Sequence, residues 1–343
     1  MVHNQNKFRS TCTLTSGELS LEGKRSPKEM CVMAVNAIQR VLGDRFRRII
    51  TGTTDGVPPW LNQIAQGDDA GLFLPSDAPW IVHRDLATLI GGIRALLIQA
   101  LHPGSLAGVA QHSRYEEDAL GRLAGTTKWL TILTFGSKDA IREESNRVNT
   151  MHSRVVGKYT ESNGNERNYQ ASDADLLLWV HIAFTDSFLR TFELYSAVRH
   201  QPIADQYVKQ WAKAVEPLGL NACPQSEQEL VDAINDYFGA GRLRVDQRTK
   251  NVVRFIKKPP LSRTALVVYE VFFQAALSSI PEHFQKMLEL KPWPKWIIRP
   301  LARTFLRGMQ LAIGKYSPLE EAALERLERI GAIKTATNQL TTS

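Results

Sequence analysis

Five of the eight histidines of this chain, His83, His102, His112, His152 and His181, lie within one segment. Imidazole is the side chain that most readily ligates a metal or carries a proton near neutral pH. His152 stands apart by position. Val148, Met151 and Val155 lie at −4, −1 and +3 from it, so on a helix its ring follows the apolar stripe and turns away from the Arg142, Glu143, Arg147 side. A neutral imidazole in an apolar interior supplies the single nitrogen donor that b-type haem iron accepts. A hydrogen-bonded core histidine has the same pattern, and position alone leaves both readings open. His181, in LLLWVHIAF, has apolar neighbours on every side, which favours the core. His102 precedes Pro103, where an imidazole is expected to bond a free carbonyl at a helix junction. His112 precedes a helix break with Glu116 four residues on, and His83 is expected to brace a helix start. Arg122 and Thr126 form an i, i+4 pair on a helix that Leu123, Trp129, Leu130 and Leu133 make otherwise apolar. A guanidinium facing a core must be paired, either with a haem propionate or with a carboxylate such as Asp118 or Glu144.

Several common chemistries lack their spacing here. Neither G-x-G-x-x-G nor G-x-x-x-x-G-K-[ST] occurs, so dinucleotide and P-loop phosphate sites have no support. G-x-S-x-G, H-E-x-x-H and any Glu-x-x-His pair are also missing, which argues against serine hydrolases, zinc peptidases and carboxylate-bridged di-iron bundles. Cys12, Cys31 and Cys223 are too few and too scattered for a disulfide framework.

The elements that must carry these residues read as helices. From Asp85 to Val156 four segments in succession have helical apolar periodicity, and further patterns cover about 202–216, 226–238, 248–257, 262–279, 294–313 and 318–330. Ser172-Asp173-Ala174-Asp175 is an S-x-x-D capping box ahead of a long helix, LLLWVHIAFTDSFLRTFELY, expected to run through the core. Asn163-Gly164 marks one β-hairpin between Tyr159 and Tyr169. The fold class is therefore mainly α: a loose arm over 1–26, one large multi-helix domain over 27–330 whose first helix spans 27–48, and a polar tail over 331–343. Residues 51–80, with several Gly and Pro, read as a long connecting segment. With 42 Lys+Arg against 35 Asp+Glu, the net charge of +7 is spread along the chain and gives no case for a nucleic-acid partner. No run approaches the roughly 18 apolar residues of a membrane span, and no secretory leader is evident, so the expectation is a cytoplasmic protein.

An ordered set of motifs resembles a known family. Trp80-Ile81-Val82-His83-Arg84-Asp85-Leu86, then GGIRALLIQALHPGSLAGVAQHSRY, Gly121-Arg122-x-x-x-Thr126, Val148-Asn149-x-x-His152-x-x-Val155-x-Gly157, and Leu177-Leu178-Trp179-Val180-His181 with Asp186-Ser187 are similar to the latex clearing proteins (rubber oxygenases) and the fungal prenyl-chain-cleaving oxygenase of mycophenolic acid biosynthesis. The likeness covers about 27–320. It implies a helical protein holding one haem b, with O2 as co-substrate, His152 as proximal iron ligand, and Arg122 and Thr126 beside the haem. There Arg122 would anchor a propionate or polarise oxygen, and Thr126 would donate a hydrogen bond. Gly125 stands where latex clearing proteins carry a lysine, and no acidic residue lies between His102 and Tyr115. Both departures point to a small unsaturated apolar substrate, prenyl or terpenoid-like, in preference to rubber. The alternative is a non-catalytic haem or hydrophobic-ligand carrier. Lys295, Arg299, Arg303 and Arg307 at i+4 spacing, beside Trp293, Trp296, Leu301, Phe305 and Met309, add a possible peripheral membrane contact, with Pro300 expected to kink that helix.

Overall fold

The computed structural model describes residues 57–112, 119–196, 202–313 and 317–334, with the side chains of 109–112, 119–123, 264 and 312–313 outside that description. The expected arm over 1–26, the first helix over 27–48 and the last nine residues of the tail fall outside the described residues, as does Glu116.

Among the described residues the fold is mainly α, as the periodicity predicts. In chain order the helices are α1 (Leu61–Ala65), α2 (Ala78–His83), α3 (Ala87–Gln99), α4 (Pro103–His112), α5 (Ala119–Phe135) and α6 (Lys138–His152). A hairpin of β1 (Val156–Thr160) and β2 (Glu166–Gln170) follows, then α7 (Ala174–Tyr195), α8 (Ala204–Trp211), α9 (Glu227–Gly239) and α10 (Gln247–Lys257). The chain continues through α11 (Arg263–Ser279), α12 (Glu282–Met287), α13 (Lys295–Ile313) and α14 (Pro318–Arg329). The short α1 and α2 lie in and just after the segment expected to be pure connection. Their five and six residues are too few to show a period.

The centre is the pair α3 and α7. Gly91 permits their approach: a Cβ there would stand 2.7 Å from the Phe188 ring and 2.8 Å from Thr191 Oγ1. One turn further along α3, the Arg94 guanidinium is buried and meets Asp186 Oδ2 at 2.6 Å while donating to Ser187 Oγ at 2.9 Å. Arg190 bonds the other carboxylate oxygen at 3.3 Å. The Asp186-Ser187 motif is thus consumed by the helix pair. α11 packs across α3 and α7, tied by the Tyr195 hydroxyl donating to Ala275 O at 2.9 Å, and α13 rests on α11.

The hairpin pairs antiparallel, with Tyr159 opposite Arg167 and Gly157 opposite Tyr169. Its turn is closed by Gly164 at φ +90°. Tyr159 and Tyr169 bury their rings against Ala107 and Leu176. Gly104 is the position that lets Tyr159 in, since a Cβ there would be 2.8 Å from its ring. The expected capping box at Ser172 is not formed. Helix α7 starts one residue later, with Asp173 at the cap accepting from Gln170 N at 3.0 Å, so the acid closes the hairpin. Asp175 turns instead to stronger donors, Tyr237 Oη at 2.9 Å and Arg242 at 2.7 Å. Helix α13 continues through Pro300, which lies exposed, and is not split there.

Helix α14 fastens the far end. Glu320, buried, accepts from Trp80 Nε1 at 2.9 Å and pairs with Arg84 at 3.1 Å. Arg326, fully buried, donates to the carbonyls of Ile64 and Phe135.

Because Asp186→Ala leaves a buried guanidinium without its carboxylate, it should cost about 3–5 kcal/mol of stability. A lowered urea midpoint checks this, and an unchanged midpoint would show the pair to be dispensable.

Candidate functional site

Helix α6 begins at Ser137, whose hydroxyl accepts from Ala140 N at 3.4 Å, and Gly136-Ser137 joins it tightly to α5. Its inward face follows helical spacing through Ile141, Glu144, Ser145 and Val148 and ends at His152. Glu144 is buried, held by both Lys128 of α5 at 3.1 Å and the Arg147 fork, whose Nε lies at 3.0 Å. Those two cations are the described partners of the Glu144 carboxylate that was a candidate for Arg122. This three-charge link fixes α6 against α5.

At the end of that face His152 has a buried Nδ1 with no hydrogen-bond partner among the described residues. Burial, with a smaller contribution from the nearby Arg147 charge, holds its pKa below the ordinary histidine value, so the ring is neutral at pH 7. Two more buried polar atoms on the same two helices, Ser145 Oγ and Trp129 Nε1, are likewise without partners among the described residues. Native interiors leave few such atoms unsatisfied, and a bound group would supply the partners that the protein does not. The expected stripe differs in one detail: Met151 is exposed, so the buried line through α6 runs by Ser145 and Val148.

The walls nearby are apolar. Leu177, Val215 and Leu220 cluster with Trp129, Leu178, Leu218 and Cys223. Asn149 Nδ2 donates to Pro217 O at 3.0 Å, tying the last turn of α6 to this segment. Burial in these surroundings pushes the Cys223 thiol up to about 11, so it is a protonated, unreactive wall group. Thr126 is half-buried on α5, the helix next to the one that carries His152. Beside it Gly125 has no described heavy atom within 4 Å of where a Cβ would stand. Arg122 belongs to α5 by its backbone, but its side chain lies outside the described residues.

His83, His102 and His181 are held by the fold, while His283 Nε2 is a second buried ring nitrogen without a partner among the described residues. His83 lies in the last turn of α2, not at a helix start. Its Nδ1 bonds Thr134 Oγ1 at 2.8 Å and its Nε2 bonds Tyr207 Oη at 2.9 Å, with the Trp211 ring centroid at 4.2 Å. His181 is buried in α7 with Nε2 3.5 Å from Thr185 Oγ1. His102 bonds no carbonyl; its Nδ1 accepts from the N–H groups of Gly104 and Ser105 at 3.2 and 3.3 Å, because a starting helix offers unpaired donors. The side chain of His112 is outside the described residues. Sequence reasoning missed the polar cleft of about 350 Å³ that His102, Tyr159, Arg167, Asp175 and Arg242 line. Its one visible signal, Asp175, had a competing use in the expected capping box.

No group of three or more His, Cys, Asp or Glu side chains among the described residues is placed to hold a metal ion. The arrangement at His152 offers a single neutral nitrogen in an apolar setting, which suits a macrocycle-bound iron better than a bare cation. The family model described as ER-bound oxygenase mpaB/B'/Rubber oxygenase, catalytic domain, matches residues 80–312, which leaves α1 and α14 outside the match. No curated protein and no solved structure matches the chain.

Burial lowers the pKa of His83 to about 3, of His102 to about 4 and of His181 to about 4. An unfolded histidine titrates near 6.5. The unfolded chain therefore binds more protons below that pH, and the stability these three neutral rings contribute is complete above about pH 6.5 and lost as pH falls toward 4. The unfolding free energy from urea titration should fall steeply across that window, by up to about 1.4 kcal/mol per pH unit for each ring, and the urea midpoint with it. His102→Asn, which keeps an acceptor at the helix start, should flatten the slope by one proton's share. A midpoint indifferent to pH would contradict the assignment.

Proposed function

Since the chain belongs to the mpaB and rubber oxygenase catalytic-domain family and is an oxidoreductase by that membership, we propose that it is a haem b-dependent oxygenase. In this reading it acts with O2 on a C=C bond of an unsaturated apolar small molecule, prenyl or terpenoid in type. The observation that carries the proposal is the neutral, buried and unpartnered His152 Nδ1. The residues present fit a haem: one imidazole to hold iron, further unsatisfied polar atoms at Ser145 and Trp129, and apolar walls for the porphyrin.

When bound, haem supplies the redox chemistry that activates O2. The chain's part is to hold, orient and exclude. His152 ligates the iron, and the clamp on Glu144 by Lys128 and Arg147 keeps the helix that carries it in place. Arg122 pairs with a propionate, and Thr126 donates a hydrogen bond at the haem edge. Trp129, Leu177, Leu178 and Val215 keep water out. Gly125, with no side chain of its own, would leave room for a compact apolar substrate beside a bound haem.

The purified chain should show a Soret band and near-stoichiometric haem b by the pyridine haemochrome assay, and His152→Ala should lose both. Arg122→Ala and Thr126→Ala should each weaken haem affinity by about tenfold or more, as loss of supporting contacts does at metal sites. A colourless protein that takes up no added haemin would overturn the proposal. Haem binding with no O2 consumption across prenylated substrates would make the protein a carrier.

A further inference from the structure

From Lys291 to Ile313 the chain has five cationic residues, Lys291, Lys295, Arg299, Arg303 and Arg307, and no acidic one. Helix α13 turns Ile298, Ala302 and Leu306 into the core at steps of four, which sets its opposite side outward. On that outward side Trp296 is 78% and Leu311 71% exposed, with Ile297 and the preceding Trp293 also exposed. These are four of the ten exposed large apolar side chains among the described residues, gathered on one segment. Arg303 and Arg307 stand along the same side, and Arg303 also donates to Leu194 O at 2.8 Å, which fastens the helix to the end of α7. Among the described residues no ion pair engages Lys295, Arg299 or Arg307.

We propose that this face is a peripheral docking surface for a bilayer that carries anionic lipid headgroups. An indole prefers the boundary between headgroups and acyl chains, and guanidinium and ammonium groups beside it reach lipid phosphates. No described helix is long and apolar enough to cross a membrane, so the contact is a helix lying in the interface plane. The charge pattern selects this occupant. A second copy of the same face around a two-fold axis would set its cations against an identical set. A nucleic-acid backbone would satisfy the cations but would leave Trp296, Ile297 and Leu311 against phosphate. The surface does not depend on haem, so it stands or falls separately from the oxygenase reading.

Co-sedimentation of the full chain with phosphatidylcholine vesicles, with and without phosphatidylglycerol, tests it at low and high salt. Binding should require the anionic lipid and fall with salt. Lys295→Ala and Arg307→Ala should each lower the partition coefficient by about fivefold, the share of one cation near the surface. Trp296→Ala should lower it by about tenfold while melting as the wild type does, and Trp296→Phe should reduce quenching by brominated lipid. Three outcomes overturn the proposal: no binding to either vesicle, equal binding to neutral and anionic vesicles, or a dimer in solution that Trp296→Ala converts to monomer. Salt-sensitive binding to duplex DNA with none to vesicles would also overturn it.

Discussion

Burying the Arg94 guanidinium sets the terms for the rest of the fold. A charge removed from water must find an opposite charge in good geometry, and Asp186 with Ser187 supplies it only if α3 and α7 lie close and in one register. Gly91 makes the approach sterically possible. Once α7 is held this way, its first turns present Leu177 and Leu178 to the apolar wall near His152, and its start anchors the hairpin through Asp173. Aromatic side chains fill the remaining space, with Trp80, Trp179, Trp211 and Phe273 buried around the central pair.

What could be read from the sequence divides along the range of the interactions. Helices such as α7 and α11 are visible because burying one face writes a 3.6-residue period into the chain, and the hairpin because Asn163-Gly164 meets the demands of its turn within two residues. Helices α1 and α2 are too short to write such a period. The role of Asp186-Ser187 was not legible, because the partner that defines it lies 93 residues from Ser187 along the chain. The same limit applied to Asp175, whose local pattern suggests a cap while Tyr237 and Arg242 take it in the folded chain. The position of His152 at the inward end of α6 follows from helical spacing, though Met151, expected on the same face, is exposed.

The site therefore depends on two kinds of order. A polar clamp at Glu144 gives rigidity where α5 meets α6, while single atoms on those helices, Nδ1 of His152 and Nε1 of Trp129, are left without partners among the described residues. Elsewhere in the described chain Glu320 is fully engaged between Trp80 and Arg84, while Arg94 Nε and Gln99 Nε2 on α3, Gln63 Oε1, His283 Nε2 and Arg326 Nε are also without partners. Unsatisfied atoms are costly to bury, and a group bound against α5 and α6 would offset that cost there by supplying the missing partners.

Arg326 carries a consequence for synthesis. Its guanidinium closes on the carbonyl of Ile64, 262 residues earlier, and on that of Phe135. Until that arginine has left the ribosome, both carbonyls lack their buried donor. At about 5–20 residues per second, translation holds that end of the fold open for tens of seconds after Ile64 is made. The early helices must pass this interval with part of their apolar surface uncovered, so a growing chain is the form in which this protein most needs a chaperone.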